Sequence, residues 1–469
     1  MLLYLYNWGV HMRKNKRIQI YVLFSLIILI STAIPLNSEP IEQNVRNNDT
    51  QSNIKPVIKD DNGIEKGKRW DIDNITIIYI NGTFYEMGYK LGELLKAEMY
   101  INQRAFQTFY ESEGIYLNEL IDLWLVQKEY ISQEVKDFIA GTADALDVSF
   151  EEIACIWVAE GAAYYNKCSS FSAWGDATYD GELIMARSLE FPLNIIDPLT
   201  NSFIQDFPVI VIADPAGDEY NAFMYPTFAG YVVEDGFNEN GISISNMWSP
   251  NNDQKINGAP MGIRLFEALY SSNNALDAIN IITSDRTFGY NFIVSDAKVP
   301  IGYAVETTAN HYHFGTWNDP IENIRPFWEI RDVVRRTNCF LSPELAKTQR
   351  DNYNPRHISY VLGLLNGDEP WLVLWNHYKA LSKGIEENWG KINLIDAILI
   401  MRRVYHGDYD PMWNIILNTM DEWTTWWQWV AKPKTGEVMI SFADGEISAH
   451  YTPVFSINLL KTIENKTPS

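Results

Sequence analysis

The sequence predicts a layered α/β protein, two β-sheets packed together with helices outside. Strand-like and helix-like stretches come in alternating blocks along the 469 residues, enough chain for one large core or two ordinary ones. The composition, 46% apolar and 13% aromatic, is that of a packed globular chain rather than a disordered one. No internal repeat is present.

The elements follow in order. "MRKNKR" (12–17) is basic, and a nearly continuous apolar run covers 18–36. That run is about long enough to cross a bilayer core of roughly 30 Å. Basic residues ahead of it place the N-terminus in the cytoplasm and the rest outside. No convincing small-x-small cleavage site and no lipobox cysteine follow. Residues 1–37 are therefore expected to be a cytoplasmic basic start plus a signal peptide or signal anchor, with Met12 a candidate true start. The protein is then expected on the extracellular side of the membrane or secreted. Asn48, Asn74, Asn81 and Asn465 each begin an Asn-x-Thr glycosylation pattern, in agreement with that topology.

Residues 38–67 are polar and read as a flexible linker. "ITIIYI" (75–80) is the first clear strand, and Met87, Leu91, Leu94, Leu95 and Met99 then recur at helical spacing over 84–106. Helical patterns follow at 116–129 and 132–146, and a Ser-x-x-Glu capping signal at Ser149 opens another over 149–163. The character changes at Cys168. "SSFSAWG" and "ELIMARSLEF" read as strands joined by "DATYDG", whose Asp180-Gly181 is a hairpin turn signal. Further strands are expected at 207–213, 220–225, 230–236 and 242–247, helices at 261–284, and strands at 290–298 and 301–308. Helices at 356–366, 372–386 and 393–405 precede strands at 424–430 and 437–443.

A formal charge of −23 argues against nucleic acid, whose phosphates need a basic face. Phosphate loops and paired Cys-x-x-Cys or His-Glu-x-x-His metal motifs are absent, and no cofactor or metal is expected. "HYH" (311–313) reads as a strand surface and "HGDYDP" (406–411) as a turn. Three cysteines, Cys155, Cys168 and Cys339, cannot all pair within one chain, so at least one thiol stays free unless it pairs between chains.

Cys168 has no histidine near it in sequence, but it has another route to activation. If the bond between Lys167 and Cys168 is cut, Cys168 gains an α-amine with an ordinary pKa of about 8. That amine can take the thiol proton and later protonate the leaving group. A nearby arginine favours the thiolate. Arg187 and Glu190, on the returning strand of the hairpin, are placed to serve the thiol and the amine.

Residues 168–191, "CSSFSAWGDATYDGELIMARSLEF", resemble the start of the mature chain in autoproteolytic N-terminal-nucleophile (Ntn) cysteine hydrolases of the isopenicillin-N (acyl-CoA:6-aminopenicillanic acid) acyltransferase-like family. Bile-salt hydrolases, penicillin V acylases and acid ceramidases are more distant relatives of that family. "FYEMGYKLGELLKAEM" (84–99) is similar to the family's pro-segment helix, "GFNENGISISN" (236–246) to its Gly-x-Asn-Glu-x-Gly strand, "RTNCF" (336–340) to its Thr-Asn-His-Phe, and "NYNPRHISYVLGLL" (352–365) to its Ser-x-x-Arg helix start. In all, the resemblance covers about 75–455. It implies a four-layer αββα sandwich, a mainly helical pro-segment or small subunit over 68–167 and a catalytic subunit over 168–469.

The resemblance also implies roles. Cys168 is the nucleophile, Arg187 lies beside the thiol, and Glu190 stands where the family has an amine-binding aspartate. Asn246 and Asn338 are oxyanion donors, and Arg356 supports the nucleophile or binds the substrate's polar end. Ser188 and Cys339 replace a common Asn and His. The implied activity is that of a self-cleaving amidohydrolase or acyltransferase working on small N-acyl substrates through a Cys168 thioester, its cleaved subunits staying associated. A phospholipase-B-like esterase with the same nucleophile and an uncleaved, catalytically silent extracellular binding protein are the alternatives. "TTWWQWV" (424–430) reads as a Trp-rich sheet core or, in that context, the wall of an acyl pocket.

Overall fold

A computed structural model describes residues 67–159, 167–350, 354, 371–406, 425–465 and 468. The apolar run at 18–36, Asn48, the helix expected at 356–366 with Arg356, and most of "HGDYDP" lie outside these residues. No helix among the described residues is long and apolar enough to cross a membrane.

The architecture is mixed α/β, with two sheets. The first strands are β1 (Lys68–Ile72), β2 (Ile75–Gly82), β3 (Lys167–Ala173), β4 (Ile184–Glu190) and β5 (Pro208–Pro215). Next come β6 (Phe223–Phe228), β7 (Asp235–Asn238), β8 (Ile242–Trp248), β9 (Tyr290–Asp296) and β10 (Ile301–Thr307). The last are β11 (Tyr312–Gly315), β12 (Val333–Arg336), β13 (Thr425–Lys432), β14 (Glu437–Phe442) and β15 (Phe455–Asn458). A nine-stranded sheet runs β1-β2-β5-β6-β7-β8-β9-β10-β11, and a six-stranded sheet runs β12-β3-β4-β13-β14-β15.

Side-chain alternation gives each strand two faces, and the buried apolar residues divide accordingly. Ile210, Ile212, Met224, Phe237 and Met247 of the large sheet form one cluster with Cys168, Met185, Leu189, Trp427 and Trp429 of the small sheet. The large sheet's other face, with Ile78, Val211 and Ile244, packs on α1 (Phe84–Ser112), α2 (Leu117–Gln127), α3 (Gln133–Leu146), α4 (Phe150–Val158), α5 (Met261–Ser271) and α6 (Ala275–Ile282). The small sheet's other face, with Phe171, Ala186 and Val430, packs on helices Trp371–Asn388 and Leu394–His406.

Helix α1 starts at a capping box, Thr83 with Glu86, and α4 at the box expected from its sequence, Ser149 with Glu152. Helices α1 and α3 touch through glycine. A Cβ on Gly88 would stand 1.9 Å from the Phe138 carbonyl, and one on Gly141 would stand 2.0 Å from that of Tyr85. The helical stretch at 261–284 is two helices, because Asn274 caps the second and breaks the first. Strand β1 has no apolar alternation to mark it in the sequence: none of its residues is fully buried, and Asp71 is exposed.

Candidate active site

The site grows from the β3–β4 hairpin. Cys168 pairs with Leu189 and Ser170 with Arg187, so the thiol and the guanidinium leave the small sheet on the same face, toward the large sheet. Cys168 and Arg187 are both fully buried. Arg187 spreads its fork over three partners. Nη2 donates to Cys168 Sγ at 3.2 Å, Nη1 to the Ser188 carbonyl, and Nε faces Asp235 Oδ2 at 3.4 Å. The Cys168 backbone N–H donates to Asn338 Oδ1 at 2.9 Å, and Asn338 Nδ2 donates to the Trp248 carbonyl at 2.6 Å. Asn338 follows β12, which pairs with β3 through Arg336 and Ser170.

Burial pushes the Cys168 thiol up to about 12, with Arg187 pulling it down and Glu190 and Glu234 adding to the rise. The thiol of the continuous chain is therefore protonated at neutral pH. Burial alone would lower Arg187, but Cys168, Asp235, Glu190 and Glu234 raise it, so the guanidinium stays charged.

Glu190 stands three residues beyond Arg187, and an odd step along a strand changes face. Its carboxylate accepts from Ser188 Oγ and, at 2.7 Å, from the Tyr405 hydroxyl on helix Leu394–His406. Tyr405 also meets Ser169 Oγ at 2.7 Å, and Gln428 Nε2 donates to Ser188 Oγ at 3.0 Å. His377 and His450 pack on the Tyr405 ring, with centroids 4.7 and 6.3 Å away. Glu190 is nonetheless paired with Lys167 in the ladder, level with the bond expected to be cut.

Asn246 alternates on β8 with Ser245 and Met247. Ser245 meets Ser170 across the sheets, and Met247 belongs to the core between them. The Asn246 amide donates instead to the Glu234 carbonyl and, at 2.9 Å, to Glu234 Oε2. The structure thus brings Cys168, Arg187 and Asn338 into direct contact; Glu190 is joined to Arg187 through Ser188, and Asn246 turns to the other face of β8, toward Glu234. Cys339 lies in a different cluster, with Phe327, Leu341 and Tyr378. Cys155 is buried among the helices, and all three thiols are free. His313 pairs with Asp319 at 3.1 Å, and no cluster able to hold a metal is found among the described residues. Asn74 and Asn465 are exposed, whereas Asn81 is half-buried and accepts from Lys90 Nζ at 3.0 Å.

Sequence reasoning missed Glu234, Asp235 and Tyr405. Asp235 is buried on β7 and accepts from Trp429 Nε1 at 2.7 Å and Trp427 Nε1 at 3.2 Å. Burial pushes its carboxyl up to about 7 against the pull of Arg187 and the two indoles. Glu234 is raised by burial and held down in part by Asn246, Arg187 and Tyr231. A signal existed in "VEDGFN": two adjacent acids in a strand pattern point to opposite faces, and each then needs its own partner. The Trp-rich strand is core, as its sequence suggested. A bulge between Thr425 and Trp427 inserts Trp426, so two successive indoles join the same cluster.

No family model matches the chain. It is similar to Protein dcd1B of Dictyostelium discoideum, 25% identical over 249 residues, covering 46% of this chain and 47% of that one. Protein dcd1A of the same organism is 26% identical over 248 residues, covering 45% and 54%. An uncharacterized protein of Archaeoglobus fulgidus is 22% identical over 414 residues, covering 75% and 65%. The chain thus spans about half to two thirds of the length of these relatives.

Among solved structures, a mutant conjugated bile acid hydrolase from Clostridium perfringens shares 13% identity at a TM-score of 0.35, over 62% of this chain and 93% of that one. Penicillin V acylase from Agrobacterium tumefaciens shares 14% at 0.34, over 63% and 87%. Likeness at this level assigns no activity.

Proposed function

We propose that the protein is an autoproteolytically activated cysteine amidohydrolase or acyltransferase of the Ntn type, with Cys168 as nucleophile. The observation that carries this reading is the contact set around one peptide bond. Arg187 lies on the thiol of Cys168, and Asn338 accepts from the nitrogen of the bond between Lys167 and Cys168.

Activation would begin with attack of Sγ on the Lys167 carbonyl carbon. The C–N bond breaks, the thiol proton passes to the Cys168 nitrogen, which leaves as a free amine, and a thioester forms. Water then hydrolyses the thioester, so one peptide bond and one water yield a carboxylate on Lys167 and an α-amine on Cys168. The amine becomes the base that the buried thiol lacks. Glu190, level with Lys167 in the ladder, would hold it. Asn338 and Asn246 would stabilise the oxyanion, at roughly 3 kcal/mol per donor. Asn338 would have to release its amide from the Trp248 carbonyl, and Asn246 to leave Glu234 and turn from the other face of β8. The same sequence of steps on an N-acyl substrate gives an acyl-thioester that water resolves, because acyl-CoA is absent outside a cell.

Residues 68–167 would form the small subunit and 168–469 the large one, arranged as an αββα sandwich. Strand β2 of the former pairs with β5 of the latter from Thr76–Val209 to Gly82–Pro215, which favours their staying together after the cut. We place the protein on the extracellular face of the membrane or in secretion, from the apolar run at 18–36.

A panel of N-acyl amides and matched esters, incubated with the matured protein and read by mass spectrometry, tests the reaction. Amide hydrolysis that disappears in Cys168→Ala is the expected result. Cleavage of esters alone, or none at all, contradicts it.

A further inference from the structure

We infer that Asp235 is a positioning residue for this chemistry, fixing Arg187 against the Cys168 thiol while Trp427 and Trp429 fix Asp235. The inference rests on the proposed function above and goes beyond it, because Asp235 touches neither the thiol nor the bond to be cut.

The geometry carries it. Arg187 sits on β4 with Trp429 as its cross-strand partner on β13, and Asp235 approaches from β7 of the opposite sheet. Two fork arms of Arg187 are hydrogen-bonded, one to the Ser188 carbonyl and one to Sγ, while Nε makes no hydrogen bond and faces Asp235 Oδ2 as an ion pair at 3.4 Å. Two hydrogen bonds leave a planar guanidinium able to swing about the axis between them, and the charge of Asp235 opposes that swing. Asp235 itself cannot swing. Trp429 takes Oδ1 and Trp427 takes Oδ2, and both indoles are fully buried. Burying two indole N–H groups without acceptors costs stability, so the Trp pair and the carboxylate require each other. The link between the two sheets at the thiol is thus an Asp–Arg pair seated on two indoles.

The charged groups facing this pair are few. Arg187 feels Cys168 from β3, Glu190 from its own strand, and Glu234 and Asp235 from the large sheet. Asp235 feels Arg187, Glu234 and the two indole N–H groups. Burial already brings its carboxyl to about 7, so its charge is gained as the pH passes through neutrality. Self-cleavage of the continuous chain is the informative step, because no α-amine exists at Cys168 to titrate in the same range.

The test uses the full chain made by in vitro translation, with the rate of splitting between Lys167 and Cys168 followed from pH 5 to 9. In the wild type the logarithm of the rate is expected to rise more steeply below about 7 than above it, as Asp235 ionises. Asp235→Asn should slow splitting by roughly 10- to 100-fold, taking the scale known for partners that orient metal ligands, and should remove the break in slope. Trp429→Phe keeps the carboxylate and takes away one donor that lowers its pKa, so its break should move to higher pH. That variant decides the matter if Asp235→Asn does not fold. Wild-type rates and an unmoved break in Trp429→Phe, or in a folded Asp235→Asn, overturn the inference. A wild-type chain that never splits overturns the proposed function instead.

Discussion

The two faces of the β3–β4 hairpin carry similar residues in opposite circumstances. On the face toward the large sheet, Cys168 and Arg187 meet Asp235 with three groups pulling on one guanidinium. On the face toward the helices, Ser169, Ser188, Glu190, Gln428 and Tyr405 form a neutral-donor network around one carboxylate. Burial costs the charged form on both sides. The helix face answers it with hydrogen bonds from hydroxyl groups, while the inner face answers it with an ion pair whose balance depends on protonation. A strand separates the two environments simply by alternating its side chains: the thiol with its ion pair on one face, the hydrogen-bonded carboxylate on the other.

The largest way to break this contrast is Arg187→Ala. It leaves Asp235 buried beside two indoles without its cation, a loss of about 3–5 kcal/mol, read as a fall in the urea midpoint, and self-cleavage should stop. On the helix face, Tyr405→Phe removes the hydroxyl shared by Ser169 and Glu190, costing about 1–3 kcal/mol. It should slow splitting far less than any inner-face change does. If the two variants slow splitting equally, the faces are not functionally separate.

Glu190→Gln sharpens the comparison, since it keeps an acceptor and drops the charge. It should leave self-cleavage nearly unchanged and lower kcat of the proposed amide hydrolysis by about tenfold, equivalent to about 1.4 kcal/mol. An equal effect on both steps would mean that Glu190 acts before the amine exists.

Thermal stability should carry the same signature in its pH dependence. The folded chain holds the Asp235 proton up to about 7, whereas the unfolded chain releases it near 4. The native state therefore binds more protons in that window, and this group's contribution to stability declines as pH rises through it. The Tm of Asp235→Asn, measured against pH, should lack that component of the decline.

Much of the fold was legible because it rests on local signals. The turn residues between Cys168 and Glu190, the capping box at Ser149 and the apolar alternation of β8 and β9 all mark elements that the structure contains. The short pieces escaped. Strand β1 has no buried face of its own, and β12 and β15 have four residues each, too few to show a period.

In the site, the spacing of Arg187 and Glu190 held more than was taken from it, for three residues along a strand means opposite faces. Asp235 was hidden for a different reason. Its partners come from β4 and β13, 48 and about 190 residues away, and no local pattern joins them.

The most direct measurement is the intact mass of the purified chain and its Cys168→Ala variant under denaturing conditions. The account predicts two fragments for the wild type, the larger beginning at Cys168, and one unbroken chain for the variant. A single wild-type chain, or a variant that still splits between residues 167 and 168, contradicts it.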